Sequence, residues 1–192
     1  ELEAELEAEL EAELEARRRQ YAHYRETLFS HPGRPRVRLG DLGVFVRGRR
    51  FTWNDVVDEG IPAIHYSEIY TKYGVAATEA RIRVRPEIAQ QLRFAVPDDV
   101  VIAAVGETVE DLAKAVAWMG NEPVAIHDDT FLFRSELTSK YVSYWLQTAD
   151  FHRQKARHVA RAKVKRISSE GLAQVAIPVI TADEQEQAVR TL

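Results

Sequence analysis

Hydrophobic and polar positions follow two different rhythms along the chain. From Leu2, the four residues Leu-Glu-Ala-Glu recur at Leu6 and Leu10, and Leu14-Glu15-Ala16-Arg17 closes the series. Leucines four apart advance 400° around a helix, so the stripe drifts by about 40° per repeat, or about 120° from Leu2 to Leu14. Leu, Glu, Ala and Arg favour helix, and neither Gly nor Pro interrupts before Pro32. The pattern predicts one helix through about Leu28, roughly 42 Å long. Its apolar side consists of Leu2, Leu6, Leu10 and Leu14, continued by Tyr21, Tyr24 and Leu28. That is a seam for another helix rather than a heptad zipper. The bland alternative is a solvated single helix or an artificial tag.

His31-Pro32-Gly33-Arg34-Pro35 ends the helix, and the rhythm changes. Val44–Val46, Ile61–Tyr70 and Arg81–Arg85 read as strands, the last because Ile82 and Val84 alternate with arginines. Val100–Val105 is a continuous apolar run and predicts a buried strand. Lys114–Met119 and Val124–Ile126 flank a Gly120-Asn121-Glu122-Pro123 turn, although Val109, Leu112, Val116 and Ala117 also fit a helical period. Thr130–Phe133 reads as a strand. Ser139–Arg157 reads as one helix with Val142, Trp145, Leu146 and Ala149 toward a core. Ala173–Val179 carries a last strand, and Thr181-Ala182-Asp183-Glu184 is a capping box that opens a further helix. The expected organisation is therefore a helix at 1–30, a domain at 31–180 and the start of a second helix at 181–192. The fold class is α+β, with a mixed or antiparallel sheet and a long helix that forms an antiparallel helix pair. A helix begun so close to residue 192 suggests a fragment, or an end completed by a partner.

Composition sharpens this. Of 192 residues, 45% are hydrophobic and 29% charged, which supports a packed core rather than global disorder. No apolar run reaches the roughly 18–20 residues that would span a bilayer, and no secretory signal pattern is present. The chain has no cysteine, which excludes disulfides, thiol nucleophiles and cysteine-based zinc sites and fits a reducing cytoplasm. The net charge of −4 is misleading, because eight of the 30 carboxylates lie in residues 1–16. The other 22 face 26 Lys and Arg, so residues 17–192 carry about +4. Such asymmetry points to a polyanionic partner.

Catalytic signatures are absent. There is neither a phosphate-binding glycine loop nor an HExxH pair. Pro97-Asp98 could open a nuclease motif, but Asp111 and Lys114 stand three apart rather than two. His127-Asp128-Asp129 could bind a metal but reads better as a turn. His152 and His158 are six apart, too far for one helix face. No Asn/Asp-Pro-Pro-Tyr segment, as adenine methylation needs, occurs. The chain is not expected to be an enzyme on its own.

The positive signal is basic. Gly33–Arg50 holds six arginines and one acid, Asp41. Phe151–Ser169 holds seven Lys or Arg and no carboxylate. Uncompensated like charges repel, so contact with phosphates explains them better than a stability role, although a solvated basic face is the alternative. The candidate DNA-binding residues are Arg47, Arg49, Arg50, Lys72, Arg153, Lys155, Arg157, Arg161, Lys163, Lys165 and Arg166. In a helix, Arg153, Arg157, Arg161 and Lys165 would align at i+4. In extended chain, Arg161, Lys163 and Lys165 would share a face.

In their order and spacing these segments resemble the specificity subunit of type I restriction–modification systems. Residues Leu10–Arg25 are similar to its spacer helix, and Arg38-Leu39-Gly40-Asp41-Leu42-Gly43 to the entry of a target-recognition domain. Val100–Gly106 is similar to the mid-domain strand, and Lys163–Ser168, Ala176–Val179 and Glu184–Gln187 to the closing segment. The family typically carries two recognition domains separated by two antiparallel spacer helices, each domain reading half of a split DNA site. This chain has one domain. The resemblance implies a half-length, non-catalytic DNA-specificity module. Its partners would be double-stranded DNA, adenine-N6 methyltransferase subunits, a restriction subunit and a second copy paired through the helix. S-adenosylmethionine, ATP and Mg would belong to the partner subunits. A free-standing DNA-binding regulator with a dimerisation helix is the alternative, and a scaffold protein with incidental basic patches a third.

Overall fold

The computed structural model describes residues 2–30, 32–159 and 165–192. A helix spans Leu2–Ser30, as its composition requires, with i,i+4 ion pairs from Arg17 to Glu13 (2.7 Å) and Arg19 to Glu15 (2.9 Å). Among the described residues its anchors lie at the C-terminal end. Phe29 is buried and stacks on Tyr141 with ring centroids 5.0 Å apart. Arg25 donates to Gln147 (3.0 Å), and the Glu26 carboxylate accepts the backbone N–H of Ala149 (3.0 Å).

Two five-stranded sheets form the body of the domain. The first runs in the order Gly43–Arg47, Thr130–Ser135, Val100–Ala103, Ala115–Trp118, Ala76–Ala77, antiparallel except for its last pair. The second runs Val56–Val57, Ile82–Val84, Ile61–Ile64, Val124–Ile126, Phe94–Ala95, with one parallel pair between Ile61–Ile64 and Val124–Ile126. The sheets pack face to face. Val101, Ala103, Val116 and Leu132 of the first meet Ile64, Val124 and Ile126 of the second. On the other face of the first sheet, Val100, Ile102 and Phe133 pack under Leu39, Tyr141 and Trp145. The strand Val100–Ala103 is thus buried on both sides, which is why it reads as an unbroken apolar run. Two short pairs complete the fold: Arg36–Arg38 with Ala176–Pro178, and Val105–Gly106 with Lys165–Arg166. The described residues contain no helix long and apolar enough to cross a membrane.

Several elements differ from the sequence expectation. The segment 61–70 is a strand only to Ile64, and then His65 caps a helix over Tyr66–Thr71. The His65 backbone N–H donates to Glu68 Oε2 (3.1 Å), so a capping box interrupts what the apolar pattern continues. The expected helix 139–157 is two helices, Ser139–Trp145 and Ala149–Lys155. Thr148 divides them: its hydroxyl donates to the Trp145 carbonyl (2.7 Å) and accepts the Phe151 N–H (3.3 Å). The helical alternative at 109–118 does not form. Ala113 takes a positive φ of 61°, and Ala115–Trp118 joins the first sheet. The last strand shortens to Ala176–Pro178, behind a Ser168-capped turn of helix at Ser169–Ala173. The Thr181/Glu184 capping box forms as read and opens the helix Ala182–Thr191.

Candidate nucleic-acid interface

The site grows from the end of the antiparallel pair in which Phe131 lies opposite Arg47. Past the last rung, the Gly48 N–H donates to Thr130 O (3.0 Å) and the Arg49 N–H to Ile126 O (3.0 Å). A Cβ on Gly48 would collide with the carbonyl oxygens of Ile126 and His127, so only glycine lets the loop pass here. Facing it is the turn 127–130, closed by Thr130 N–H to His127 O (3.0 Å) and by Asp129 N–H to His127 Nδ1 (3.1 Å).

On this turn the two basic segments converge. Arg47 Nε donates to Asp128 O (2.7 Å) and its Nη2 lies 3.8 Å from Asp129 Oδ1. Arg166 Nη1, from the far end of the domain sequence, lies 3.0 Å from the same oxygen. Both guanidinium side chains stay more than half exposed. Arg47 and Arg166 form the shared rim of two clefts. One, of about 490 Å³, adds Arg50, Phe51, Trp53, His65 and Tyr66. The other, of about 610 Å³, adds Arg157, His158, Ser168 and Glu170. Trp53 is exposed although it is the bulkiest side chain of the first cleft. It lies against His65 (centroids 4.7 Å), which lies against His127 (4.3 Å). Burial first, and then the neighbouring His127, pushes the His65 pKa down to about 4; burial also lowers His127. Both imidazoles are therefore neutral near pH 7.

The His127-Asp128-Asp129 ligand atoms lie within 4.8 Å of one another. Their bonding fits a turn rather than a metal centre. His127 Nδ1 accepts a backbone N–H, its Nε2 lies 3.3 Å from Asp128 Oδ1, and Asp129 holds Arg166.

The remaining sequence candidates scatter. Arg50 and Arg157 line the two clefts, and Lys165 sits beside Arg166 in the short strand opposite Gly106. Arg161 and Lys163 lie outside the described residues. Lys72 lines a separate cleft with Arg81 and Lys140. Arg153 is exposed and paired with Asp150 (2.8 Å). Among the described residues the helical row at i+4 does not form: the helix ends at Lys155, before Arg157, and Lys165 lies in a strand. Lys155 is a correction. It is fully buried, its ammonium donates to the Leu112 carbonyl (2.5 Å), and burial pushes its pKa down to about 8. It cannot reach a phosphate. On the helix, Leu2, Leu6, Leu10 and Leu14 are exposed and Tyr21 partly so, whereas Leu28 turns onto the domain core and leaves the outward stripe. Sequence reasoning missed Arg93, whose Nη1 holds Arg47 O (3.0 Å) and which nothing in the sequence flags. It also missed Trp53, although Phe51-Thr52-Trp53 directly follows an arginine pair.

The architecture is thus an α+β domain carried at the end of a long helix. No protein-family model and no curated protein sequence matches the chain. Solved structures do match its fold. A chain of a type I restriction–modification system, solved to explain that system's assembly and conformational transition, superposes with a TM-score of 0.60 at 20% identity. It covers 98% of this chain and 48% of its own. The HsdS subunit from Thermoanaerobacter tengcongensis gives 0.59 at 20% identity over the same shares. The S subunit from M. genitalium gives 0.55 at 11% identity, covering 84% of this chain and 38% of its own. The chain shares the fold of these structures and spans about half the length of the first two.

Proposed function

We propose that this chain is a DNA sequence-specificity module of a type I restriction–modification complex, reading one half of a bipartite site. The observation that carries the reading is the convergence of Arg47, Arg50 and Arg166 on one aromatic-lined cleft, in a domain with the fold of half a specificity subunit. Arginine suits both phosphate contact and bidentate reading of guanine. The helix at 1–30 acts as spacer and the segment 31–180 as recognition domain. Two copies pair through Leu2, Leu6, Leu10 and Leu14, which supplies the second recognition domain and makes the recognised site a split palindrome. The module has no chemistry of its own. It positions adenine-N6 methyltransferase subunits and a restriction subunit in the cytoplasm, and those partners carry S-adenosylmethionine, ATP and Mg.

The test is co-expression with an adenine-N6 methyltransferase subunit from the same host, followed by mapping of N6-methyladenine in the host DNA. A single bipartite palindromic motif that disappears when this chain is deleted is the expected result. Loss of the chain without change in methylation, together with recovery of DNA but no methyltransferase in a pull-down, would favour a free-standing regulator.

A further inference from the structure

We propose that Trp53 is a wedge that inserts at a base-pair step of the bound duplex, with the arginines of its cleft holding the backbone around it. This rests on the DNA-reading role proposed above and assigns a specific structural action to it.

Three observations converge on Trp53. The first is exposure. Trp118 and Trp145 are buried, as is Phe51 two residues earlier, while Trp53 is 57% exposed. An indole left in water forgoes the burial that an ordinary folding role would give it. The second is rigidity. Trp53 opens a short 3-10 turn through Asp55, and Asp55 Oδ2 accepts from the Thr52 N–H (2.8 Å) and hydroxyl (2.9 Å). Asp55 Oδ1 is held in turn by Arg85 Nε (2.8 Å), and the Arg85 N–H donates to Asp55 O (2.9 Å). Against the indole lies a row of tilted rings, His65 at 4.7 Å and then His127 at a further 4.3 Å, with Phe51 set edge-on to His127 at 5.1 Å. A side chain braced in this way can press into a stack without folding away.

The third is charge. Arg47, Arg50 and Arg166 line the same cleft. Its carboxylates are already engaged: Asp128 lies beside His127, and Asp129 holds Arg166 and faces Arg47. Three arginines against two carboxylates leave the cleft lining with a net positive charge beside an exposed indole. A duplex offers the complement, anionic backbones on both sides of an apolar slot between base pairs. Apolar wedges of this kind unstack a step and kink the duplex, so specificity also arises from how readily a sequence deforms. A protein partner would have to set carboxylates on both sides of an apolar side chain to match this surface, an arrangement that every step of a duplex offers.

The experiment uses the full chain and a duplex selected by it from a library with a randomised centre. 2-Aminopurine is placed in turn at each position of the selected duplex, and dyes at its ends report bending. The wild type should brighten one step and shorten the end-to-end distance. Trp53→Ala should abolish both signals and lose on the order of 10-fold of the preference for the selected duplex over a scrambled one. Its log K against log salt slope should stay unchanged, because the phosphate contacts remain. Trp53→Phe should retain most of the signals. If Trp53→Ala keeps the 2-aminopurine signal, the bend and the selectivity, the wedge is overturned while DNA reading stands. The same holds if Trp53→Ala loses only methyltransferase binding. If the wild type itself selects and binds no duplex, the DNA-reading role fails and the wedge falls with it.

Discussion

Arg166 and Asp129 meet at 3.0 Å, and that pair joins the closing segment of the domain to the turn that receives the arginine loop. Asp129 also faces Arg47 at 3.8 Å, so one carboxylate sets the spacing of two guanidiniums that remain largely in solvent. Exposed pairs of this kind contribute little stability, about 0–1 kcal/mol. Their consequence is positional. Replacing Arg47 and Arg166 together by Ala should weaken binding to all duplexes and flatten the salt slope by up to about two units, one per phosphate contact. Asp129→Ala should have the opposite signature: binding to random duplex rises because a negative charge is gone, and preference for the selected site falls because the two arginines lose their common anchor. Filter binding across a salt series checks both.

The outward leucines make a second prediction. Leu6, Leu10 and Leu14 are 50–64% exposed and touch no core, so changing all three to Ser should leave the folding transition of the domain in place. It should dissociate the proposed dimer. Sedimentation at tens of micromolar gives the answer directly, and an unchanged mass for the triple variant would remove the leucine stripe from the interface.

The four-residue repeat should set the distance between half-sites. One repeat adds about 6 Å of helix. Against roughly 34–36 Å per 10–10.5 base pairs, that is at most about two base pairs. Each repeat also turns the helix end by about 40°, and one base pair turns DNA by roughly 35°, which favours a change of one. Deleting Leu10–Glu13 keeps the stripe nearly in phase and removes no contact to the domain. The variant should methylate the same half-sites with a spacer one or two base pairs shorter. Retention of the original spacing would mean that the helix is not the ruler.

Lys155 predicts a pH dependence of stability. Its pKa in the folded chain is about 8, below its ordinary value of 10.5. Between these values the unfolded chain holds a proton that the folded chain has released, so stability rises with pH, by at most about 1.4 kcal/mol per unit. Below about pH 8 the cost of burying the ammonium is fully present. Above about pH 10 the direction reverses, because burial holds tyrosines 70 and 73 protonated up to about 12 in the fold. Urea midpoints should therefore increase from pH 7.5 to 9.5 in the wild type. In Lys155→Met that increase should be smaller, whatever the absolute stability of the variant after the Leu112 carbonyl loses its donor.

What the sequence determined by itself is whatever local periodicity and capping can decide. The Leu2–Ser30 helix, the buried strand at Val100–Ala103, the Thr181/Glu184 capping box and the basic character of both arginine-rich segments were all legible, because each depends on residues within a turn or two of one another. Tertiary structure decided the rest. His65 and Thr148 end an apolar pattern that would otherwise continue, since a side chain that bonds the backbone outweighs a weak propensity. Lys155 belonged to a run of charge in sequence and to the interior in space, its ammonium 5.5 Å over the Phe151 ring and donating to the Leu112 carbonyl. Which arginines would meet was invisible from spacing. Arg47 and Arg166 come together only because one extends the strand paired with Thr130–Ser135 and the other pairs beside Val105, and the 127–130 turn lies between them. Sheet register is a long-range property, and no window of sequence contains both of its ends.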